Sequence, residues 1–375
     1  MALAQTSVAQ HFGGLNDPRR ERRRLHNLCD MIAISLCAVI CGAESWEDVA
    51  EYGRQKEPWL KTFLRLPNGI PSHDTFNRLF RLLKAKAFQA CFARWMQALV
   101  EATEGRIVAI DGKTLRHSFD RAADKSALHM ISAWAVANGV SLGQRAVDGD
   151  SNEITAVPEL LKLLELEGAI VTYDAMGCQK EIAQAIRDAG ADYVLAVKQN
   201  QPRLYEDMLA ALEQAFEGNR GESYRLFTTE EKGHGRHERR EYVVTNDLSK
   251  IRDRDLWPGL RSLAMVCSER TIDGKTTTES RYYISSCSGS VRQIAGAIRG
   301  HWGIENTLHW SLDVTFGEDA HCLRKDHGPE NMATLRRAAL SLVKQERVEK
   351  GSLRRKRLRA GWNNAYLERL LKCGS

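Results

Sequence analysis

The sequence predicts an α/β fold preceded by an all-helical N-terminal domain, and three observations predict it. Apolar residues recur at helical spacing from Leu25 to about Val100; strand-like and helix-like segments alternate from Arg106 to about Gln201; the pattern then turns β-rich between about residues 217 and 290. A chain of 375 residues is long enough for roughly two domains and a sizeable core. Its 43% hydrophobic and 27% charged residues, with 8 Pro and 28 Gly, exclude wholesale disorder.

Composition narrows the classes of function. The longest apolar run, MIAISLCAVIC (31–41), falls short of the ~20 residues that span a bilayer. MALAQTSVAQHF lacks the charged and apolar regions of a secretory signal, so a cytoplasmic location with no membrane partner is expected. Nine scattered cysteines without a CxxC pair read as reduced thiols, not as a disulfide framework or a cysteine zinc site. The net charge of +6 is concentrated in RRERRR (19–24), KGHGRHERR (232–240) and RRKRLR (354–359). One such run is most often a solvated face; three together point to a polyanionic partner.

The N-terminal helices read as LHNLCDMIAISLCAVI, SWEDVAEYG, HDTFNRLFRLL and FQACFARWMQALV. Ser45, with Asp48 three residues on, and Ser72, after Pro71, are start signals. This domain is expected to span 1–104, and LPNGIPS (66–72) between its short helices is compatible with a helix-turn-helix-like DNA reader. RIVAIDGK (106–113) reads as a buried strand ending at Asp111, and LHMISAWAVANG and SLGQRAVDGDS complete an antiparallel meander. Helix 153–168, strand AIVTYDA, helix 178–190 and strand DYVLAVKQNQ follow, so the later strands should be parallel and joined by crossover helices. Another helix, 202–216, precedes the β-rich stretch, which reads as an insertion, and SVRQIAGAIRGHWGIENTLHWSLDV returns to helical periodicity. The expected boundaries are 105–345 for this α/β domain and 346–375 for a basic C-terminal tail.

Asp111 in AIDGK and Asp174 in VTYDAMG each end an apolar strand, where α/β sites form. Each alone reads equally as a turn or helix cap. The deduced order sets the fourth strand beside the first, so the two carboxylates should be neighbours, a repulsive pair unless a cation neutralises them. Such an oxygen-rich pocket suits Mg²⁺, and a third carboxylate from a helix would complete a two-metal site. Glu305 is the candidate, with Asp313, Glu318 and Asp319 as rivals. On a helix, His301, Glu305 and His309 recur every four positions and share one face, but this spacing departs from the H-E-x-x-H zinc pattern. Trp302 and Trp310 read as packing residues.

Aspartates on the first and fourth strands with a late helical glutamate resemble the ribonuclease-H-like fold of DDE transposases. IVAIDGKTLR, VTYDAMGCQ, DYVLAVKQNQP, IRGHWGIENTLHWSLDVTFGED and ENMATLRRAAL, with the N-terminal words HFGGLNDPRRERRRLHNLCDMIAISLCAVICGAESWEDVAEYG and PSHDTFNRLF, resemble the H-repeat-associated, ISAs-type family of bacterial insertion-sequence transposases. The resemblance implies binding of terminal inverted repeats, metal-dependent phosphodiester hydrolysis and strand transfer into target DNA. It implies Asp111, Asp174 and Glu305 as the catalytic, metal-binding triad, with two Mg²⁺ ions, Mn²⁺ as a substitute, and a homodimer on DNA. It leaves a degenerate, non-catalytic DNA-binding descendant as the alternative. The Tyr-Arg-Glu-Lys signature common in the broader group is absent around Glu305, where Ile298, His301 and Leu312 stand instead. His301 in the arginine's place, Arg299, Lys113, Lys198, and Arg236, Arg239 and Arg240 of the basic run are the expected DNA-phosphate contacts.

Overall fold

In a computed structural model, the described residues are 3–100, 106–119, 126–147, 152–216, 224–233 and 235–372. The start of the β-rich stretch (217–223), His234 of the basic run and the end of the expected tail (373–375) lie outside them.

Five helices come first: α1 (Leu3–Phe12), α2 (Leu28–Cys41), α3 (Trp46–Leu60), α4 (His73–Leu82) and α5 (Ala85–Ala98). Asn27 caps α2, whose residues from Met31 to Ile40 are all buried, as expected of a helix apolar on every side. Ser45 and Asp48 close the anticipated capping box on α3. Ser72 caps α4 by accepting from the Thr75 amide at 3.3 Å.

Next come β1 (Ile107–Thr114), β2 (His129–Ala135), β3 (Val140–Val147), α6 (Glu153–Leu161), β4 (Ile170–Tyr173), α7 (Lys180–Asp188), β5 (Asp192–Val197) and α8 (Pro202–Phe216). The β-rich stretch supplies β6 (Tyr224–Gly233), β7 (Arg236–Thr245), β8 (Ser262–Ile272) and β9 (Lys275–Ser285). Then follow α9 (Val291–Gly303), a π-helical turn (Ile304–His309), α10 (Trp310–Phe316), α11 (Gly328–Gln345), α12 (Leu353–Trp362) and α13 (Asn364–Lys372). No single helix among the described residues is long and apolar enough to cross a membrane.

The chain forms two compact units, each discontinuous in sequence: 1–102 with 112–152 and 304–375, and 103–111 with 153–303. In the first unit β2 and β3 form an antiparallel pair. Helix α11 is buried from Asn331 to Val343. The Asn331 side-chain amide donates to the Phe80 and Leu83 carbonyls at 2.7 and 2.8 Å, and Gln144 donates to Thr334 at 2.7 Å. Residues read as a basic tail instead supply α12 and α13. Arg357 of α12 is buried and donates to the Val39 carbonyl at 3.0 Å, its guanidinium lying 4.0 Å over Phe316.

In the second unit the order is β1-β4-β5-β9-β8-β7-β6. β4 is parallel to both β1 and β5, while β5 pairs antiparallel with β9. The stretch expected as an insertion of strands extends the same sheet. Tyr242, Val244, Val266 and Tyr283 from its strands pack with Ile294, Ala295, Ala297 and Ile298 of α9 in one buried cluster. The architecture is the ribonuclease-H-like α/β class with a helical N-terminal region.

Candidate active site

The parallel β1–β4 ladder pairs Ile107 with Ile170, Val108 with Val171 and Ala109 with Thr172. The paired residues end there and β4 ends at Tyr173; carried two residues further, the same register would align Asp111 with Asp174. Laterally paired residues of neighbouring strands share a sheet face, so carboxylates aligned in this way would be neighbours. Asp174 also serves the bland role open to it, capping the 3-10 turn Ala175–Gly177 by accepting from the Met176 amide at 3.0 Å. Asn200 and Gln201 brace that turn from the end of β5, donating to the Ala175 and Cys178 carbonyls at 2.7 and 2.9 Å.

Burial raises the Asp174 carboxyl above its ordinary value; the neighbouring Glu153 adds to the rise, and the Gly177 and Met176 amides and Lys198 oppose it. Glu153, at the start of α6, accepts a hydrogen bond from the Tyr173 hydroxyl at 2.5 Å. Burial raises the Tyr173 phenol, and Glu153, Asp174 and Asp111 all push it further. Three carboxylates thus act on one buried ring. Glu153 was not among the sequence candidates. It showed there only as the first residue of a helix, and its link to Tyr173 spans twenty positions.

These carboxylates are hard oxygen donors crowded by like charge, a donor chemistry that fits Mg²⁺ or Mn²⁺. No group of three or more His, Cys, Asp or Glu is gathered at metal-binding spacing among the described residues.

Glu305 belongs to the first unit, exposed on the π-helical turn. A π turn closes i→i+5 bonds, so it breaks the single α-helical face expected for His301, Glu305 and His309; such turns are frequent at functional sites. His301 sits at the end of α9, its Nδ1 3.1 Å from Thr172 Oγ1 on β4. Burial pushes its pKa down to about 4. The ring is therefore neutral at pH 7 and does not replace an arginine's charge. Burial, then Arg337, pushes His309 down to about 3.

Lys113 is engaged within the protein. Its side chain is only 9% exposed, and its ammonium ion-pairs with Asp313, with Asp319 at 3.0 Å and with Glu318 at 3.4 Å. The three rival carboxylates are occupied in this network, and Glu318 also takes Arg337 at 2.7 Å. Trp302 lies under the Arg281 guanidinium at 4.4 Å, whereas Trp310, expected to pack, is 58% exposed.

The KGHGRHERR run is the β6–β7 hairpin. Successive strand residues face opposite ways, so Arg239 and Arg240 do not form one patch. Arg239 is ringed by Glu241 at 3.4 Å, Glu269 at 3.7 Å and Glu230 at 3.9 Å. Arg240 is buried against Glu238 at 2.6 Å, and Arg299 pairs with Glu231 at 3.1 Å. Glutamates of the same strand and of neighbouring strands offset these cations. Arg236 at the hairpin end and Lys198 near Asp174 remain exposed.

Residues 9–96 match the family described as DDE_Tnp_1-associated, and residues 102–342 match the Transposase DDE domain. The chain is 41% identical over 371 residues to "Putative transposase YncI" of Escherichia coli O157:H7, covering 97% of this chain and 94% of that protein. It is 39% identical over 372 residues to "H repeat-associated putative transposase YhhI" of Escherichia coli K12, covering 97% of each. Among solved structures it is similar to the piggyBac transposase synaptic complex with hairpin DNA, with a TM-score of 0.44 and 13% identity over 98% of this chain and 77% of that one. With both regions matched and relatives aligned over nearly their full length, this chain belongs to the H-repeat-associated family of transposases that carry a DDE domain.

Proposed function

We propose that this protein is the transposase of a bacterial insertion sequence, acting on chromosomal DNA in the cytoplasm. It would bind the element's terminal inverted repeats, hydrolyse a phosphodiester at each end and join the freed 3′-hydroxyl to target DNA. The observation that carries this reading is the parallel β1–β4 register, whose continuation would align Asp111 with Asp174.

In this reading Asp111, Asp174 and Glu305 hold two Mg²⁺ ions, with Mn²⁺ able to replace them. When bound, the ions supply charge neutralisation and activation of the attacking oxygen. The chain's own part is positioning. The turn amides orient Asp174, Tyr173 holds Glu153 beside it, and Lys198 offers a cation to a phosphate. Water and then a DNA hydroxyl are the nucleophiles, so no covalent protein intermediate forms. The helical region 1–104 is the candidate reader of the ends, 105–345 the catalytic domain, and two copies acting together would serve two DNA ends.

The test uses a linear duplex comprising the gene and its flanking DNA, with Mg²⁺ or Mn²⁺. Strand breaks at the element's ends are expected from the wild type, and none from Asp111→Ala. Binding without breakage, with Asp111→Ala indistinguishable from wild type, would establish the degenerate DNA-binding alternative instead.

A further inference from the structure

The last basic run, RRKRLR, is split by the fold. Lys356 and Arg357 turn inward: Lys356 donates to the Glu346 carbonyl, and Arg357 to carbonyls of α2. Arg354 and Arg355 are exposed, and Arg347 and Lys350, which belong to no sequence run, are exposed just before them.

The acids of this segment are committed elsewhere. Glu346 is buried, accepts the Val348 and Glu349 amides at 2.7 and 3.0 Å, and pairs with Arg369 at 2.9 Å. Glu349 pairs with Arg359 at 2.5 Å and also with Arg369. Among the described residues, no carboxylate pairs with Arg347, Lys350, Arg354 or Arg355. The first turn of α12 also carries no acid. Inward acids therefore pin the segment's backbone while four outward cations are left without counter-charges. This contrasts with Arg239, Arg240 and Arg299, whose charges glutamates offset.

We propose that this corner, the segment leading into α12 with its first turn, is a phosphate-contacting surface for duplex DNA that uses none of the proposed active-site residues. The inference rests on the DNA-transposase reading. Duplex DNA presents a dense line of phosphates, and a braced surface with three arginines and a lysine matches it without requiring any base sequence. Val348, between Arg347 and Lys350, is 78% exposed and offers apolar contact to the sugar edge.

The experiment measures binding of the full chain to a fluorescent 30-base-pair duplex across NaCl concentrations. Wild type is compared with the combined Arg347→Gln, Lys350→Gln, Arg354→Gln and Arg355→Gln variant. None of the four side chains pairs with a carboxylate among the described residues, so thermal melting should be unchanged. With roughly 0.9 counterions released per phosphate contact, the log–log salt slope should become shallower by about 3 to 4, and affinity at low salt should fall at least about tenfold. An unchanged slope and affinity would overturn the proposal while leaving the transposase reading intact. So would a variant that loses binding only to phosphatidylserine vesicles. Wild type that binds no duplex at all would overturn both.

Discussion

Arg337 Nη1 stands 2.7 Å from Glu318 Oε1, and neither side chain has any solvent exposure. Burial acts to raise the Glu318 carboxyl, but Arg337 and Lys113 outweigh it and hold it below its ordinary value. Removing one partner strands the other's charge away from water, which costs about 3–5 kcal/mol. Glu318→Gln should lose stability on that scale in urea unfolding, and adding Arg337→Met should restore part of it. A single variant within about 1 kcal/mol of wild type would show the pair to be dispensable.

Asp174 carries the opposite sign. Burial and Glu153 raise its carboxyl, so its charge is a cost to the metal-free fold. Asp174→Asn should therefore melt slightly above wild type without metal. It should also lose the rise in melting temperature that Mn²⁺ gives the wild type, along with strand breakage. An Asn variant that still gains stability from Mn²⁺ would remove Asp174 from the proposed metal site.

Glu153 is expected to add to cation affinity without being essential for folding. Glu153→Gln keeps the shape and removes the charge, and should weaken Mn²⁺ binding by calorimetry roughly tenfold. Tyr173→Phe leaves the charge but frees the carboxylate, and should weaken it less. Equal affinities in all three proteins would reduce Glu153 to a partner for the tyrosine.

Acid should unfold this protein through its histidines first. Burial pushes His301 and His321 down to about 4 and His309 down to about 3. The unfolded chain takes up these protons below about pH 6.5 and the native chain does not, so stability present above that pH is lost as pH falls toward about 4. Each ring can contribute up to about 1.4 kcal/mol per pH unit, less where solvent reaches it. Urea unfolding at pH 7.5, 6.0 and 5.0 checks this. His321→Asn should flatten the slope by about a third.

The legible features are local ones. The apolar strands RIVAI and IVTY, and Ser45 and Ser72 ahead of helices, are written in short windows, and the ladder and caps follow them, although β1 runs past Asp111 to Thr114. The β5–β9 pairing was hidden because it joins segments some ninety residues apart. Lys113 looked like a surface lysine because its three acids lie about two hundred positions away. The π turn left no trace in periodicity: Ile304, Leu308 and Leu312 keep a four-residue apolar spacing and are all fully buried. Runs of arginine misled for a related reason, since sequence counts charges but not the glutamates brought opposite them.

Gly177 ties local chain chemistry to the candidate site. A Cβ there would stand 2.0 Å from the Tyr173 ring, a contact that forces the ring or the turn to move. Tyr173 is 2% exposed at the end of β4 and cannot swing into solvent without opening the core. Gly177→Ala should therefore cost about 1–3 kcal/mol as overpacking. Because the displaced ring holds Glu153 and the displaced turn orients Asp174, Mn²⁺ affinity should fall with it. Combining Gly177→Ala with Tyr173→Leu removes the clashing ring and should recover stability but not metal affinity. Recovery of both would mean that the glycine serves packing alone.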